Sequence, residues 1–454
     1  MSKIEVNTVA PQCGTTLTLG ESGDTVTLGT GASQSGFGRT GTVNWDTTKK
    51  TTGFTAVSGN GYFCDTAASG AFTLTLPSSP SAGDIVGLKD YNGNFSTANL
   101  TIGRGGSKIN GGDAADAVIK TDGAAIFLVY VDATQGWVAT QDDSSTFSGT
   151  NFLIATGGTI TECGNDKIHT FTGPGTFTVC QVSSTAADNL ISYMVIAGGG
   201  GTSQDRGGAG GAGGFRELKS PTTPYTASPL DGYPSAPNRI TVTATGYPIA
   251  VGGGGTASPS GSPGCNGTNS TFSTITATAG GGGSKSPSTG NPGGSGGGGD
   301  STSCGGAGNT PPTTPAQGSN GGSGSAMSPP VGNGGGGGAG GTGGNGTSGT
   351  GGAGGIGTGT GINPSSSVGD DGPSGSLRYF AGGGGGGHDG SSPGTGGYGG
   401  GGNGARGPYP GSSVAAEAGA TNTGGGGGGS NGGGPSQPGV AGGSGIVILR
   451  YKYK

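Results

Sequence analysis

Residues 193–201 read YMVIAGGGG, so that an apolar run passes directly into a run of glycine. The same junction recurs at 247–255, 276–283 and 378–387, where a short apolar segment again precedes at least four glycines. The chain closes with a last apolar run at 446–451 and a charged tail. Apolar runs of this length that are rich in β-branched and aromatic residues favour buried strands. Repetition of the junction indicates one structural unit used several times.

Glycine content separates the chain of 454 residues into two regimes. Residues 1–196 contain 28 glycines, whereas residues 197–454 contain 90. Hydrophobic residues make up only 28% of the chain and charged residues 9%, whereas an ordinary globular domain is about 45–50% apolar. This composition excludes one large close-packed enzyme. It also differs from ordinary disordered chains, which are usually rich in charge.

A long glycine-rich segment has two physical outcomes. Glycine loses more conformational entropy on ordering than other residues and has no side chain to bury. Residues 197–445 are therefore either a flexible linker or a structure stabilised by its own backbone. We favour a bundle of polyproline II-type helices, which have three residues per turn and no internal hydrogen bonds. Their N–H and C=O groups would then pair with neighbouring helices, because buried backbone groups need partners.

The first segment of the chain, residues 1–45, is predicted to be a β neck. Residues 17–20 read LTLG and residues 26–29 read VTLG, so threonine alternates with leucine or valine. This alternation is typical of half-buried strands. The apolar face is too small for one chain to bury, and threefold association of identical chains would close it. We therefore expect residues 1–45 to trimerise and to attach the chain to a larger assembly.

The predicted fold class is all-β throughout, without a helical pattern of useful length. Residues 46–145 predict a β-sandwich that acts as a spacer, because residues 72–76 alternate cleanly and residues 125–131 form an apolar run of strand length. Residues 146–196 predict a β-hairpin module at the boundary, with Thr172-Gly173-Pro174-Gly175 as its turn. Residues 197–454 form the glycine-rich domain, whose polyglycine helices are bracketed by short strands.

Several functional classes find no support in the sequence. Net charge is −5 with 19 Lys and Arg residues, which gives no electrostatic footprint for nucleic acid. No apolar run approaches the ~20 residues of a membrane span, so no membrane insertion is expected. No signal peptide is visible at the start, and we expect the six cysteines to be free thiols. We predict no cofactor, no metal site and no catalytic residue, and the chain is not expected to be an enzyme.

The candidate binding residues are those expected at the ends of the bundle, where the chain must turn. Loops on a rigid scaffold commonly carry binding function, and aromatic side chains give large contact area at low entropic cost. A plain solvated turn remains the alternative interpretation for His388 and Asp389. The other histidine, His169, is predicted to be a structural residue of a strand. The candidate binding residues are Tyr225, Tyr233, His388, Asp389, Tyr398, Arg406 and Tyr409.

Two segments resemble a known family. Residues 171–179, FTGPGTFTV, followed by YMVIAGGG at 193–200, resemble the start of the glycine-rich domain of phage tail-fibre and receptor-binding proteins. Residues 442–451 resemble the closing strand of that domain. Residues 1–145 are similar to the N-terminal parts of marine-phage fibre proteins, including the motif YVDATQGW at 130–137. The glycine-rich part also resembles the distal adhesins of T-even-like phages, in which glycine helices form a sandwich with loops at the tip.

The resemblance implies a function. It implies a homotrimeric tail fibre that is made in the host cytoplasm and incorporated into the virion tail. Residues 1–45 would contact other tail proteins, and the glycine-rich loops would bind a host outer-surface protein or glycan. Two alternatives remain open: a purely structural tail spacer or decoration protein, and a spike that depolymerises host glycans.

Overall fold

The structure is a computed structural model, and its fold is all-β. It describes residues 43–112, 116–140, 147–148, 152–183, 185–259, 261–325, 330–408, 412–432 and 437–453. The chain forms two compact units, which divide between Gly149 and Thr150. Almost all of the predicted β neck, up to residue 42, lies outside the described residues.

The described part of the first unit contains strands and one short helix, α1 (Thr66–Ser69). The strands predicted at 72–76 and 125–131 are confirmed as the fourth and eighth. The strands are β1 (Asn44–Lys50), β2 (Phe54–Thr55), β3 (Asn60–Cys64), β4 (Phe72–Thr75), β5 (Ile85–Asp90), β6 (Leu100–Gly103), β7 (Ala117–Ile119), β8 (Ala125–Asp132), β9 (Gly136–Ala139) and β10 (Phe147–Ser148).

These strands form two five-stranded sheets around one core. The orders are β1-β3-β5-β8-β9 and β10-β7-β6-β4-β2. Strands β1 to β6 alternate between the two sheets along the chain. In one sheet β1, β3 and β5 pair in parallel, and in the other β2, β4 and β6 do so. Strands β7 to β9 then add in antiparallel fashion. Leu88 and Leu128 of one sheet and Leu74 and Ile102 of the other share the core between them.

The second unit contains the boundary module and the glycine-rich domain. Two 3-10 helices lie at Ala186–Asn189 and Ala236–Asn238. The strands are β11 (Ile154–Thr156), β12 (Thr159–Cys163), β13 (Asp166–Phe171), β14 (Gly175–Gln181), β15 (Ser192–Ile196), β16 (Phe215–Leu218), β17 (Gly246–Ala250), β18 (Ser270–Phe272), β19 (Ile275–Ala277), β20 (Thr358–Thr360), β21 (Asp370–Asp371), β22 (Arg378–Phe380) and β23 (Ile446–Lys452).

The hairpin predicted around Thr172–Gly175 is wrong. Strand β13 lies in the sheet β12-β13-β23-β15-β16, whereas β14 lies in the sheet β11-β14-β17-β18-β19. The turn therefore carries the chain from one sheet of a sandwich to the other. Phe171 and Phe177, on opposite sides of the turn, both enter the core between the two sheets.

The sheet that contains β15 and β23 is buried on both faces. Tyr193 and Val195 face the core of the sandwich, whereas Met194 and Ile196 face a second core that includes Phe380 and other residues of the glycine-rich part. Burial on both faces explains why residues 193–196 of β15 and 446–449 of β23 are continuous apolar runs without alternation. Strand β23 lies between β13 and β15, so the last segment of the chain is a central strand.

The glycine runs form a bundle whose hydrogen bonds repeat every three residues. In the run 208–214, the amides of Gly208, Gly211 and Gly214 donate to one neighbouring run, 278–284. Ala209 and Ala212 donate to a second run, and Gly210 and Gly213 to a third. A period of three is that of a polyproline II-type helix, as predicted. The second and third runs, which accept hydrogen bonds from the amides of this helix, are 334–337 and 424–427. The carbonyl oxygens of the helix accept hydrogen bonds from the runs 197–200 and 295–298 and from Gly384.

The bundle has two distinct ends. At the sheet end, the runs continue directly into strands, as at Ile196–Ala197, Phe380–Ala381 and Gly445–Ile446. At the opposite end, which we call the far end, the runs are joined by turns. The far-end segments are residues 203–207, 257–263, 284–289, 300–303, 346–350, 388–393 and 406–414, of which the structure describes all except Ser260 and residues 409–411.

Candidate functional site

The far end holds three of the described candidate residues: His388, Asp389 and Arg406. Backbone bridges join His388 to Gly332 and to Arg406, and Arg406 in turn to Val414. These bridges form because the segment 382–387 continues past its last glycine in an extended conformation. Tyr409 lies outside the described residues.

The prediction that His388 is displayed on an exposed loop is wrong. Its side chain is only 3% exposed. The Nδ1 atom accepts a hydrogen bond from the Gly390 N–H at 3.1 Å, and Nε2 lies 3.3 Å from the Ser348 carbonyl oxygen. The residue extends the glycine run by one step, which places the ring inside the turn. His388 therefore holds the loops at 346–350 and 388–393 together.

Asp389 is also buried rather than displayed, with 8% exposure. Its Oδ2 lies 3.2 Å from Nη2 of Arg206, and its Oδ1 accepts a hydrogen bond from the Gly432 N–H at 2.9 Å. One carboxylate therefore joins the far-end segments 203–207 and 388–393 to Gly432, three parts of the chain that are distant in sequence. The bond from the Gly432 N–H to this carboxylate is charge-assisted and therefore stronger than a neutral hydrogen bond. Its role in this geometry is to fix the loops.

Arg406 lines an open cavity of about 350 Å³ at the far end. Its Nη2 donates to the Ser412 carbonyl oxygen at 2.8 Å, which fixes the guanidinium against the 406–414 turn. Val414, which is 50% exposed, and Glu417 line the same cavity. Glu417 accepts a hydrogen bond from the Asn403 side-chain amide at 2.7 Å. The cavity therefore combines a cation, a carboxylate and an exposed aliphatic side chain.

A second far-end cavity, of about 300 Å³, was not predicted from the sequence. Asp205, Arg206, Lys285 and Asp300 line it, and the φ angles of Asp205 and Arg206 are 57° and 62°. Lys285 Nζ donates to the Asp205 carbonyl oxygen, and Asp300 accepts a hydrogen bond from the Ser286 N–H at 2.6 Å. Charged residues are rare in the glycine-rich segment, so the adjacent pair Asp205-Arg206 was the feature of the sequence that could have indicated this cavity.

The three described candidate tyrosines do not join this surface, because all lie at the sheet end. Tyr225 packs against the second core, and burial raises the pKa of its phenol well above the usual range. Tyr233 packs against the sandwich core, with the Arg239 guanidinium 4.5 Å from its ring centroid. Tyr398 is 51% exposed and lies beside Tyr379. The structure therefore separates the predicted receptor-binding residues into two groups.

The described residues contain no group of three or more His, Cys, Asp or Glu side chains placed to hold a metal ion. Among the same residues, no helix has the length and apolar character needed to span a membrane.

Comparison with known proteins gives one result that covers most of the second unit. A family model described as a glycine-rich domain matches residues 170–452, which is more than half of the chain. The match begins in β13 and ends in β23, and so includes both strands that bracket the bundle. No curated protein matches the chain. With its bundle of glycine runs and its bracketing strands, the chain belongs to the glycine-rich domain family.

Proposed function

We propose that this protein is a non-enzymatic adhesin of a phage tail fibre, which attaches the virion to a host cell through the far-end loops. The receptor would be a protein or a glycan of the host outer surface. Residues 1–45 would join the fibre to other tail proteins and contribute to a homotrimer, and the first unit would act as a spacer. The resemblance of residues 171–200 and 442–451 to phage receptor-binding proteins supports this assignment.

The observation that carries the proposal is how the scaffold is stabilised. The run 208–214 is bonded on all sides through main-chain N–H and C=O groups. Main-chain bonding does not depend on the side chains of the loops, so those loops can change in sequence while the bundle remains. Such independence suits a protein that must follow changes in a receptor.

The far-end surface also has chemistry that suits recognition. The cavity around Arg406 presents a guanidinium, a carboxylate and the exposed Val414 side chain. Buried contacts of His388 and Asp389 hold the surrounding loops in place. Pre-ordered loops lose less entropy when they bind a partner.

The proposal is tested by competition for adsorption. The purified full chain should reduce adsorption of the phage to its host, and the double variant Val414→Glu/Glu417→Lys should lose this effect. Both side chains are exposed, so the fold should be retained, as circular dichroism would verify. The matched control is Tyr398→Ser, which alters an equally exposed residue at the sheet end.

Two outcomes would reject the proposal. If the full chain never competes, or if the far-end double variant competes as well as the native protein, the far end does not bind the receptor and a spacer role is favoured. Turnover of purified host polysaccharide by the chain would favour the depolymerase alternative.

A further inference from the structure

The first unit has an apolar face that its own core does not use. In the sheet β1-β3-β5-β8-β9, Tyr62, Leu88 and Leu128 point into the core. Because neighbouring residues in a strand point to opposite faces, the residues between them point outward. We call this outward surface the aromatic face, and its side chains are Val43, Trp45, Phe63, Phe127, Val129 and Val138.

The other sheet of the same sandwich provides an internal comparison. Its outward positions include Thr73, Thr75 and Thr101, which flank the core residues Leu74 and Ile102. A row of threonine is typical of an outer face that meets water. The aromatic face therefore departs from the pattern that this same unit uses where a sheet is solvated.

Two glycines shape the aromatic face. A Cβ atom at Gly61 would lie 2.8 Å from the Trp45 ring, and one at Gly87 would lie 2.8 Å from a Val43 methyl group. Their absence lets the indole lie close to the sheet, with its centroid 5.0 Å from that of Phe63 and 6.1 Å from that of Phe127. Tyr91, which is 51% exposed, extends the cluster beside Phe63.

The ring geometry favours a protein partner over a sugar. A flat glycan surface stacks best on coplanar rings. The planes of Trp45 and Phe63 are inclined at 33°, whereas those of Trp45 and Phe127 are inclined at 76° and those of Phe63 and Tyr91 at 78°. An uneven apolar surface of this kind is suited to interdigitating side chains. Aromatic residues of this type are enriched at the centres of protein interfaces.

Position and charge favour a second copy of this chain as the partner. Trp45 is the last residue of the segment 1–45, which is predicted to self-associate, so association there would bring copies of this face close together. The side chains of the aromatic face are uncharged, and Lys49, which lies over the Tyr91 ring, is already paired with Asp65 at 2.7 Å. No like-charge repulsion therefore opposes contact between two copies of this face.

We propose that the aromatic face is an interface between copies of this chain. This inference deepens the proposed function, because it rests on the self-association proposed there, but it does not depend on whether the far end binds a receptor. It extends the association predicted in residues 1–45 to later strands of the first unit, through Phe63, Phe127, Val129 and Val138.

The experiment compares two charged substitutions on the two outer faces of one sandwich. The full chain is studied by sedimentation over a concentration series, with Phe127→Glu on the aromatic face and Thr101→Glu on the opposite face as the matched control. We expect Phe127→Glu to weaken association at least about tenfold, as for a buried interface residue, and Thr101→Glu to leave it unchanged. Unfolding curves identify any variant that fails to fold.

A second measurement does not depend on a disruptive substitution. In the variant Trp137→Phe, which removes the tryptophan of the core, Trp45 is the remaining indole. Its quenching by acrylamide should decrease as the chain associates. The proposal is overturned if Phe127→Glu folds and associates normally, if the native chain is monomeric, or if Trp45 is quenched equally in monomer and oligomer.

Discussion

Gly210 shows why single residues matter in a bundle that is built from backbone. A Cβ atom at this position would lie 2.0 Å from the Gly200 carbonyl oxygen, which is closer than two non-bonded atoms can approach. The obstacle is main chain in a neighbouring helix, which cannot move aside without breaking its own hydrogen bonds. In the same run, the bundle accommodates alanine at positions 209 and 212, which lie three residues apart. The amides of both Ala209 and Ala212 donate hydrogen bonds to the run 334–337.

We therefore predict that Gly210→Ala destabilises the second unit by about 1–3 kcal/mol or more, as overpacked cores do. The matched control is Gly375→Ala, because Gly375 is exposed and a Cβ atom there would meet nothing within 4 Å. The control should change stability by less than about 0.5 kcal/mol. Denaturant unfolding of the full chain measures both, and equal stability of the two variants would contradict the close packing of the bundle.

His169 is a second residue whose surroundings determine its behaviour. It is buried, with Nδ1 2.7 Å from the Gly157 carbonyl oxygen and Nε2 3.1 Å from the Tyr451 hydroxyl. This agrees with its predicted role as a structural strand histidine. Burial lowers the pKa of His169 below its ordinary value of 6.5, so the folded protein keeps the ring neutral where the unfolded chain would protonate it.

The lowered pKa of His169 predicts how stability depends on pH. The stabilising effect is present above the unfolded pKa of 6.5 and is lost as the pH falls towards the folded pKa. The native protein should therefore lose more stability between about pH 7.5 and about pH 5 than the variant His169→Gln. Burial raises the pKa of Glu217, which acts in the opposite direction, but Glu217 is common to both proteins. Equal losses in the two proteins would show that His169 does not titrate in this way.

At the scale of elements, the junctions between strands and glycine runs could be predicted because both signals are local. The strands that end at Ile196, Ala250, Ala277 and Phe380 lie where the apolar segments predicted them. The partner of each strand could not be predicted in the same way. Phe171 pairs with Val447, which lies far along the chain. Apolar and polar residues alternate in the same way on either side of a Gly-Pro-Gly turn whether the two strands pair with each other or lie in different sheets.

The candidate site was predicted less well, for a related reason. His388 follows six glycines and so resembles the start of an exposed turn, but its burial depends on residues 332 and 406, with which its backbone pairs. The candidate tyrosines were grouped with His388, Asp389 and Arg406 because the composition of a glycine run does not indicate the direction in which the run crosses the bundle. A run of glycine does not indicate which of its ends meets the sheets.

Strand β23 carries a test of how the elements are held together. Arg450 Nε lies 2.7 Å from Asp166 Oδ2 on β13, and the two side chains are 4% and 1% exposed. Loss of one member of a buried ion pair leaves an uncompensated charge, so we predict that Arg450→Met costs about 3–5 kcal/mol. Because paired apolar residues can replace such a pair, Arg450→Met/Asp166→Leu should recover part of that loss.

The neighbouring ion pair between Lys167 and Glu162 supplies the control for this test. Its side chains are 31% and 56% exposed, with Nζ 4.0 Å from Oε1. We expect Lys167→Met to cost less than about 1 kcal/mol, because solvent screens exposed pairs. Denaturant unfolding compares the four proteins, and a cost for Arg450→Met no larger than that for Lys167→Met would contradict the structural role of the buried pair.

At the scale of the whole molecule, the second unit combines two kinds of stabilisation. Its sandwich has a conventional core of side chains, which includes Phe177, Phe272 and Tyr451. Its bundle is held by main-chain hydrogen bonds between runs, such as Gly200 N–H to the Gly211 carbonyl oxygen at 2.8 Å. Strands β15 and β23 belong to both parts, because one face of each meets the sandwich core and the other meets the glycine-rich part. The bundle should therefore share the stability of the sandwich.

Hydrogen exchange of the full chain tests this coupling directly. Amides open by local or global unfolding before they exchange, so amides that open only with the sandwich should exchange at its rate. We predict that the amides of 208–214 are protected as strongly as those of β15, whereas the exposed turn at 374–376 exchanges much faster. The variant Arg450→Met, which is expected to weaken the sandwich, should accelerate exchange in 208–214 and in β15 by the same factor. Exchange of the glycine amides at the rate of an unstructured peptide would show that the runs are a linker, and the far-end loops would then lose the rigid support on which their proposed role depends.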